Sequence, residues 1–101
     1  MMTLHTFKEF MDGARDAYLK AVKKHQKFTD KVCHHDLDGV RGFLAECRNF
    51  NDNNTPDFAS ILDEEIAEYC EASILGDHEA ARRELLDCAA VLMREWERLE
   101  Q

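Results

Sequence analysis

The chain has 101 residues, of which 34% are charged and 45% are apolar, enough for one domain with one modest hydrophobic core. Acidic residues outnumber basic residues 21 to 13, and the formal net charge of −8 disfavours duplex nucleic acid and acidic membranes as partners. With only 4 Gly and 1 Pro, the chain lacks the turn residues of a many-stranded sandwich or barrel, so we expect an all-α protein. No apolar run approaches the ~18 residues that span a bilayer, and no signal-peptide pattern is present, so we expect a cytoplasmic protein.

The first predicted helix runs from Thr3 to about Lys27. It contains no proline, and apolar residues recur along one face at three- and four-residue steps. These residues are Leu4, Phe7, Met11, Ala14, Tyr18, Ala21 and Val22. Its C-terminal end carries a dense basic patch, which suits the negative end of the helix dipole, although a solvated lysine face is the simpler interpretation. The patch consists of Lys20, Lys23, Lys24 and Lys27.

A polar break at Thr29–His35 precedes a second predicted helix, from Leu37 to about Phe50. The Asn- and Asp-rich stretch at 51–56 ends this helix, because such side chains compete with helical hydrogen bonds and Pro cannot continue a helix. The third helix is predicted from about Pro56 to Ile74, with Thr55 as its N-cap.

Gly76 is placed to end the third helix, and Asp77 to cap a fourth helix from His78 to near Leu99. This short connection makes the third and fourth helices neighbours, and we predict an antiparallel four-helix bundle that forms one domain over residues 1–101. The four cysteines match no disulfide framework, and we interpret them as reduced thiols. They are Cys33, Cys47, Cys70 and Cys88.

Two pairs of acidic residues fall inside apolar stretches. In the third helix, Glu65 interrupts the apolar face and Glu68 follows one turn later. In the fourth helix, Asp87 interrupts the apolar run Leu85–Met93, with Glu84 one turn before it. The run is so apolar that we expect it to be covered on nearly every side.

A buried ionised carboxylate costs several kcal/mol, and four of them would repel one another, so a cation is the simplest compensation. Two oxygen-only pairs suit Mg²⁺, with Mn²⁺ as a possible substitute, because there is no EF-hand loop for Ca²⁺ and no Cys or His for Zn²⁺ at these positions. The alternative is that the four carboxylates are exposed at a helix edge or paired with arginines nearby in the sequence. These arginines are Arg82, Arg83 and Arg94.

The segment Ile61–Glu68, followed by Glu84-Leu85-Leu86-Asp87, resembles the ExxE…ExxD signature of the MazG-like all-α nucleoside triphosphate pyrophosphatases. The resemblance covers roughly Phe58 to Trp96, and the lysine-rich end of the first helix is distantly similar to the basic first helix of small phage-encoded members. Ala67 departs from the pattern, because relatives often carry Gly at this position for close helix contact.

This resemblance implies a Mg²⁺-dependent pyrophosphohydrolase that cleaves a nucleoside or deoxynucleoside triphosphate between the α and β phosphates, releasing a monophosphate and pyrophosphate. It implies that the metal is bound by Glu65, Glu68, Glu84 and Asp87. Glu64 is a candidate base outside the metal ligands, and the alternative is that it is simply an exposed residue on the solvent side of the helix. Candidates for binding the outer phosphates are Lys23, Lys24 and Lys27.

We also expect a homo-oligomer, a dimer or a tetramer, located in the host cytoplasm if the protein is phage-encoded. The resemblance implies active sites completed between subunits, and an isolated bundle of this size would leave large apolar side chains in water. These side chains are Phe7, Met11, Leu92 and Trp96.

The main alternative is a non-catalytic acidic interaction protein, such as a phage accessory factor, that presents its carboxylates as a charge surface to a basic partner. Solvent exposure of Asp87 would favour it. An intermediate case keeps the fold and binds nucleotides without turnover. The segment Cys33-His34-His35-Asp36 contains soft-metal ligands but lacks a second matching pair, so a polar turn is the simpler interpretation.

Overall fold

A computed structural model describes residues 1–27 and 31–100, and within these ranges the chain forms four helices and no strand. The helices are α1 (Leu4–Lys24), α2 (Leu37–Asn53), α3 (Phe58–Ile74) and α4 (His78–Leu99). The prediction of an all-α chain with four helices is confirmed. Part of the predicted break at Thr29–His35 lies outside the described residues. No helix in the described ranges combines the length and the apolar character that crossing a bilayer requires.

The second helix is one turn longer than predicted, because asparagine side chains satisfy carbonyl groups at its C-terminal end. The Asn53 side-chain amide donates to the carbonyl of Asn49 at 2.7 Å, and the Asn54 amide donates to the carbonyl of Phe50 at 2.9 Å. The last carbonyls of a helix have no partner within it, so these bonds stabilise the extra turn.

The third helix begins later than predicted because its N-cap is Asp57 and not Thr55. The Asp57 carboxylate accepts a hydrogen bond from the backbone N–H of Ser60 at 2.8 Å, and the Ser60 hydroxyl accepts one from the backbone N–H of Asp57 at 3.0 Å. This reciprocal arrangement, a capping box, satisfies two backbone donors at once.

The connection between α3 and α4 has the predicted form. Gly76 has a φ of +77°, the left-handed conformation that favours glycine. The backbone N–H of Asp77 donates to the carbonyl of Ala72 at 3.0 Å, and the Asp77 carboxylate accepts from the N–H of Ala80 at 3.1 Å. The turn therefore ends α3 and caps α4 within two residues.

Contacts divide the chain into two compact units. The core unit is Lys31–Leu92, in which α2 packs against α3. Leu44 is only 2% exposed, and Ala67 is also buried. The other buried residues are Val40, Cys47, Cys70 and Ala81. Three of the six lie on α2 at positions 40, 44 and 47, the spacing of one helical face.

The terminal unit consists of α1 and the part of α4 that follows Leu92. The rings of Phe10 and Trp96 meet edge to face with centroids 5.8 Å apart, and the Thr6 hydroxyl donates to the Glu100 carboxylate at 3.2 Å. No residue of α1 is buried, and its predicted apolar face is exposed. The single domain predicted for residues 1–101 stays a prediction.

Candidate metal centre

Three carboxylates from α3 and α4 meet in the core unit. Glu65, Glu84 and Asp87 each offer one oxygen atom, and these three atoms lie within 4.8 Å of one another. Glu84 and Asp87 share a face of α4 because they are three residues apart. Magnesium binds oxygen at ~2.1 Å, so ligand oxygens around one ion are at most about 4.2 Å apart. Small side-chain rotations would bring the three oxygens to one cation.

Glu68 belongs to the same cluster through Glu84. Burial raises the pKa of Glu68 to about 7, and the neighbouring Glu84 carboxylate, which shares a hydrogen bond with it, contributes to the rise. Glu68 also faces Arg48 on α2, whose Nη2 lies 3.5 Å from Glu68 Oε1 and partly offsets this increase. The fourth predicted ligand therefore lies between Glu84 and Arg48 of α2, outside the group of three converging oxygens.

Two carboxylate oxygens of the cluster have no hydrogen-bond donor among the described residues. Burial raises the pKa of Glu65 and of Glu84, and repulsion by Asp87 adds to both shifts. The oxygens Glu65 Oε2 and Glu84 Oε2 are buried and accept no hydrogen bond from the described residues. A hard divalent cation fits this donor set, because it binds carboxylate oxygens and relieves their repulsion.

Asp87 is more exposed than we predicted. The Asp87 residue is exposed to solvent, and Leu86 beside it is 71% exposed. The prediction that the run Leu85–Met93 is covered on nearly every side is therefore wrong for a single chain. A helical segment with apolar residues all around its axis needs neighbours on all sides, and the described residues leave Leu85 50% exposed and Leu86 71% exposed.

Glu64 lies outside the group of three carboxylates. The Asn51 side-chain amide donates to Glu64 Oε1 at 3.0 Å and to the carbonyl of Ser60 at 3.1 Å. Glu64 is half-buried and not a freely exposed residue. Asn51 thus fixes a carboxylate beside the cluster from the neighbouring helix, a contact that the sequence argument missed.

The lysines predicted to bind phosphate do not lie in the same unit as the carboxylates. Lys23, Lys24 and Lys27 are exposed and belong to the terminal unit, whereas the carboxylates belong to the core unit. Their phosphate-binding role stays a prediction. Of the arginines considered as partners for the carboxylates, Arg83 pairs with Glu79 at 3.2 Å.

The arginine that contacts the cluster, Arg48, was not predicted. It follows Cys47 at the edge of the buried face of α2, and this position could have pointed to a residue that borders α3.

All four cysteines are free. Cys88 lies beside the cluster, and burial together with the Glu65 and Glu84 carboxylates raises the pKa of its thiol. Among the described residues, the group of converging ligand atoms consists of carboxylate oxygens and does not include the Cys88 thiol.

The segment from Cys33 to Asp36 is a polar turn. Asp36 caps α2 by accepting the N–H of Gly39 at 2.8 Å, and Cys33 Sγ donates to the carbonyl of His35 at 3.5 Å. Among the described residues, these four do not form a group of metal ligands.

Comparisons of the chain with models of protein families, with curated proteins and with solved structures found no match. The resemblance to the MazG-like pyrophosphatases therefore rests on the motif residues alone.

Proposed function

We propose that this protein is a Mg²⁺-dependent nucleotide pyrophosphohydrolase of the MazG-like kind, which cleaves a nucleoside or deoxynucleoside triphosphate between the α and β phosphates to a monophosphate and pyrophosphate. One observation carries the proposal. The carboxylates of the two motif halves, Glu65 from α3 with Glu84 and Asp87 from α4, converge to within 4.8 Å, and two of their oxygens are buried without a donor.

Glu65, Glu84 and Asp87 would hold the ion, with Glu68 as the fourth ligand. When bound, Mg²⁺ supplies positive charge for the triphosphate oxygens and lowers the pKa of an attacking water. Mn²⁺ has the same preference for oxygen ligands and would substitute for it.

Glu64 is the proposed base. The hydrogen bond from Asn51 uses Oε1 and fixes the side chain, which leaves Oε2 to take a proton from the attacking water. Lys23, Lys24 and Lys27 are proposed to bind the outer phosphates as flexible point charges.

Self-association is part of the proposal. Phe10 of α1 meets Trp96 of α4, but α1 has no buried residue and its predicted apolar face is exposed in the described part of the chain. We propose a homo-oligomer, a dimer or a tetramer, in which the apolar face of α1 is covered by another subunit. The proposed location is the cytoplasm, that of the host if the protein is phage-encoded.

One observation favours a second candidate function. Asp87 is exposed, so its carboxylate can present its charge directly to a basic partner. The protein would then be a non-catalytic acidic interaction protein that docks a basic partner.

A panel of nucleotides incubated with and without Mg²⁺, and scored for both monophosphate and pyrophosphate, separates the two candidates. We expect turnover that EDTA abolishes. Glu84→Gln should lose this turnover, whereas Glu79→Gln, an exposed position on the same helix outside the cluster, should keep it. A protein that hydrolyses no nucleotide and whose thermal stability does not respond to Mg²⁺ would support the interaction protein.

A further inference from the structure

Arg48 brings a positive charge to the edge of the carboxylate cluster. Its Nη2 lies 3.5 Å from Glu68 Oε1, and its side chain is 53% exposed, whereas that of Glu68 is 22% exposed. This contact uses one of the five N–H donors of a guanidinium group. Most of the donors of Arg48 have no partner among the described residues and can bind a ligand that reaches the cluster from solvent.

A second arginine on α2 contacts α3 at a shorter distance than Arg48 does. Arg41, two helical turns earlier, also reaches across to α3, where its Nε lies 2.9 Å from Glu71 Oε2. That distance is typical of a charge-assisted hydrogen bond, whereas 3.5 Å is beyond the usual range. Arg41 thus makes a complete structural ion pair outside the cluster. Arg48 makes a loose one at its edge, so little is lost when Arg48 changes partner.

The negative charge of the proposed triphosphate ligand requires a positively charged residue in addition to the metal ion. A triphosphate brings several negative charges to carboxylates that already repel one another, and one divalent cation neutralises only two of them. Arginine suits the remaining phosphate oxygens, because its planar group donates two parallel hydrogen bonds to a phosphate. The contact with Glu68 places the positive charge of Arg48 at the edge of the carboxylate cluster.

We propose that Arg48 is a phosphate-binding residue of the carboxylate site, held by Glu68 in the free protein and transferred to a phosphate oxygen of the ligand on binding. The inference rests on the proposed function for its ligand class, a polyphosphate. It is independent of the lysines of α1, which belong to the terminal unit.

Binding of inorganic pyrophosphate to the full-length chain in the presence of Mg²⁺, measured by calorimetry, tests the inference. Arg48→Ala should weaken binding roughly tenfold or more, the usual effect of losing a hydrogen bond to a charged group. Arg48→Lys should recover part of the affinity, since the charge returns without the planar group. Arg41→Ala, the matched control, should change the affinity less than about twofold, since it binds no phosphate. Mg²⁺ binding without pyrophosphate should be unchanged or tighter in Arg48→Ala, because a competing cation has gone.

The outcomes separate this inference from the proposed function. Equal losses for Arg48→Ala and Arg41→Ala would show a structural role and overturn the inference, as would unchanged binding in Arg48→Ala or no binding of pyrophosphate by the wild type. If the wild type hydrolyses nucleotides and Arg48→Ala leaves KM unchanged, the inference fails and the proposed function stands. If the wild type binds pyrophosphate through Arg48 but hydrolyses no nucleotide, the inference stands and the proposed function fails.

Discussion

The helices α1 and α2 are both amphipathic, yet they differ in what covers their apolar faces. On α2, Val40, Leu44 and Cys47 are buried, because the short connection at 54–57 brings α3 against this face. On α1, Phe7 is 44% exposed and no residue is buried. A periodic apolar pattern therefore predicts a helix and a face to be covered, but it does not identify the partner.

The largest expected effect concerns the carboxylates, which lie in the core unit. Asp87→Asn should reduce Mg²⁺-dependent release of pyrophosphate by more than about 100-fold, because losing a ligand should cost more than losing an outer contact. Lys23→Ala should reduce it only a few-fold. Without metal, the thermal stability of Asp87→Asn should be unchanged or higher, since the substitution removes charge repulsion. If Asp87→Asn is less stable than the wild type without metal, and neither the stability nor the activity of the wild type responds to Mg²⁺, Asp87 has a structural role.

The next prediction compares the packing of the two regions. Leu44→Ala should lower the free energy of unfolding by about 2 to 5 kcal/mol, because it leaves a cavity in the core unit. Phe7→Ala should lower it by less than about 1 kcal/mol in dilute protein, because much of the Phe7 ring is already in water. Urea titrations at low protein concentration measure both values. Similar losses for the two variants would mean that α1 is packed as tightly as α2.

The four predicted helices, and the convergence of three of the four predicted ligands, have simple physical reasons. The helix period marks the elements, and Gly76 with Asp77 forces α3 and α4 to be neighbours. The i,i+3 spacing then places each acidic pair on one face. The choice of Thr55 as N-cap of α3 was wrong, because Thr55 and Asp57 are both good caps. Only the partner three residues later decides between them, and for Asp57 this partner is Ser60.

The exposure of Asp87 and the contact of Arg48 with Glu68 could not be predicted in the same way. Both depend on how one helix is rotated and displaced against another, and side-chain packing over the whole face sets that arrangement. An apolar run such as Leu85–Met93 indicates which residues favour burial. It does not indicate whether the surface that covers them belongs to the same chain.

A smaller effect is expected from pH. The pKa of Glu68 in the folded chain is about 7, above its ordinary value of 4.5, so the folded state binds protons more tightly than the unfolded state. The stability that this provides is complete below about pH 4.5 and is lost as the pH rises through about 7. The loss should be on the order of 1 to 3 kcal/mol in metal-free protein. Glu68→Gln should flatten this dependence when melting temperatures are compared at pH 5 and pH 8, and Mg²⁺ should reduce it in the wild type. A wild-type stability that is flat over this range would contradict the shift.

The smallest expected effect is on self-association, when a single exposed phenylalanine of α1 or of α2 is substituted. Phe7 on α1 and Phe43 on α2 are exposed to nearly the same extent, 44% and 46%. If a second subunit covers the apolar face of α1, Phe7→Glu should shift sedimentation towards the monomer at micromolar concentrations, because it places a charge in that interface. Phe43→Glu, the matched control, should leave the oligomer unchanged. The opposite result would place the interface on α2, and the exposed face of α1 would then need another partner. A wild type that stays monomeric at high micromolar concentration and still hydrolyses nucleotide would show that one chain builds the whole site.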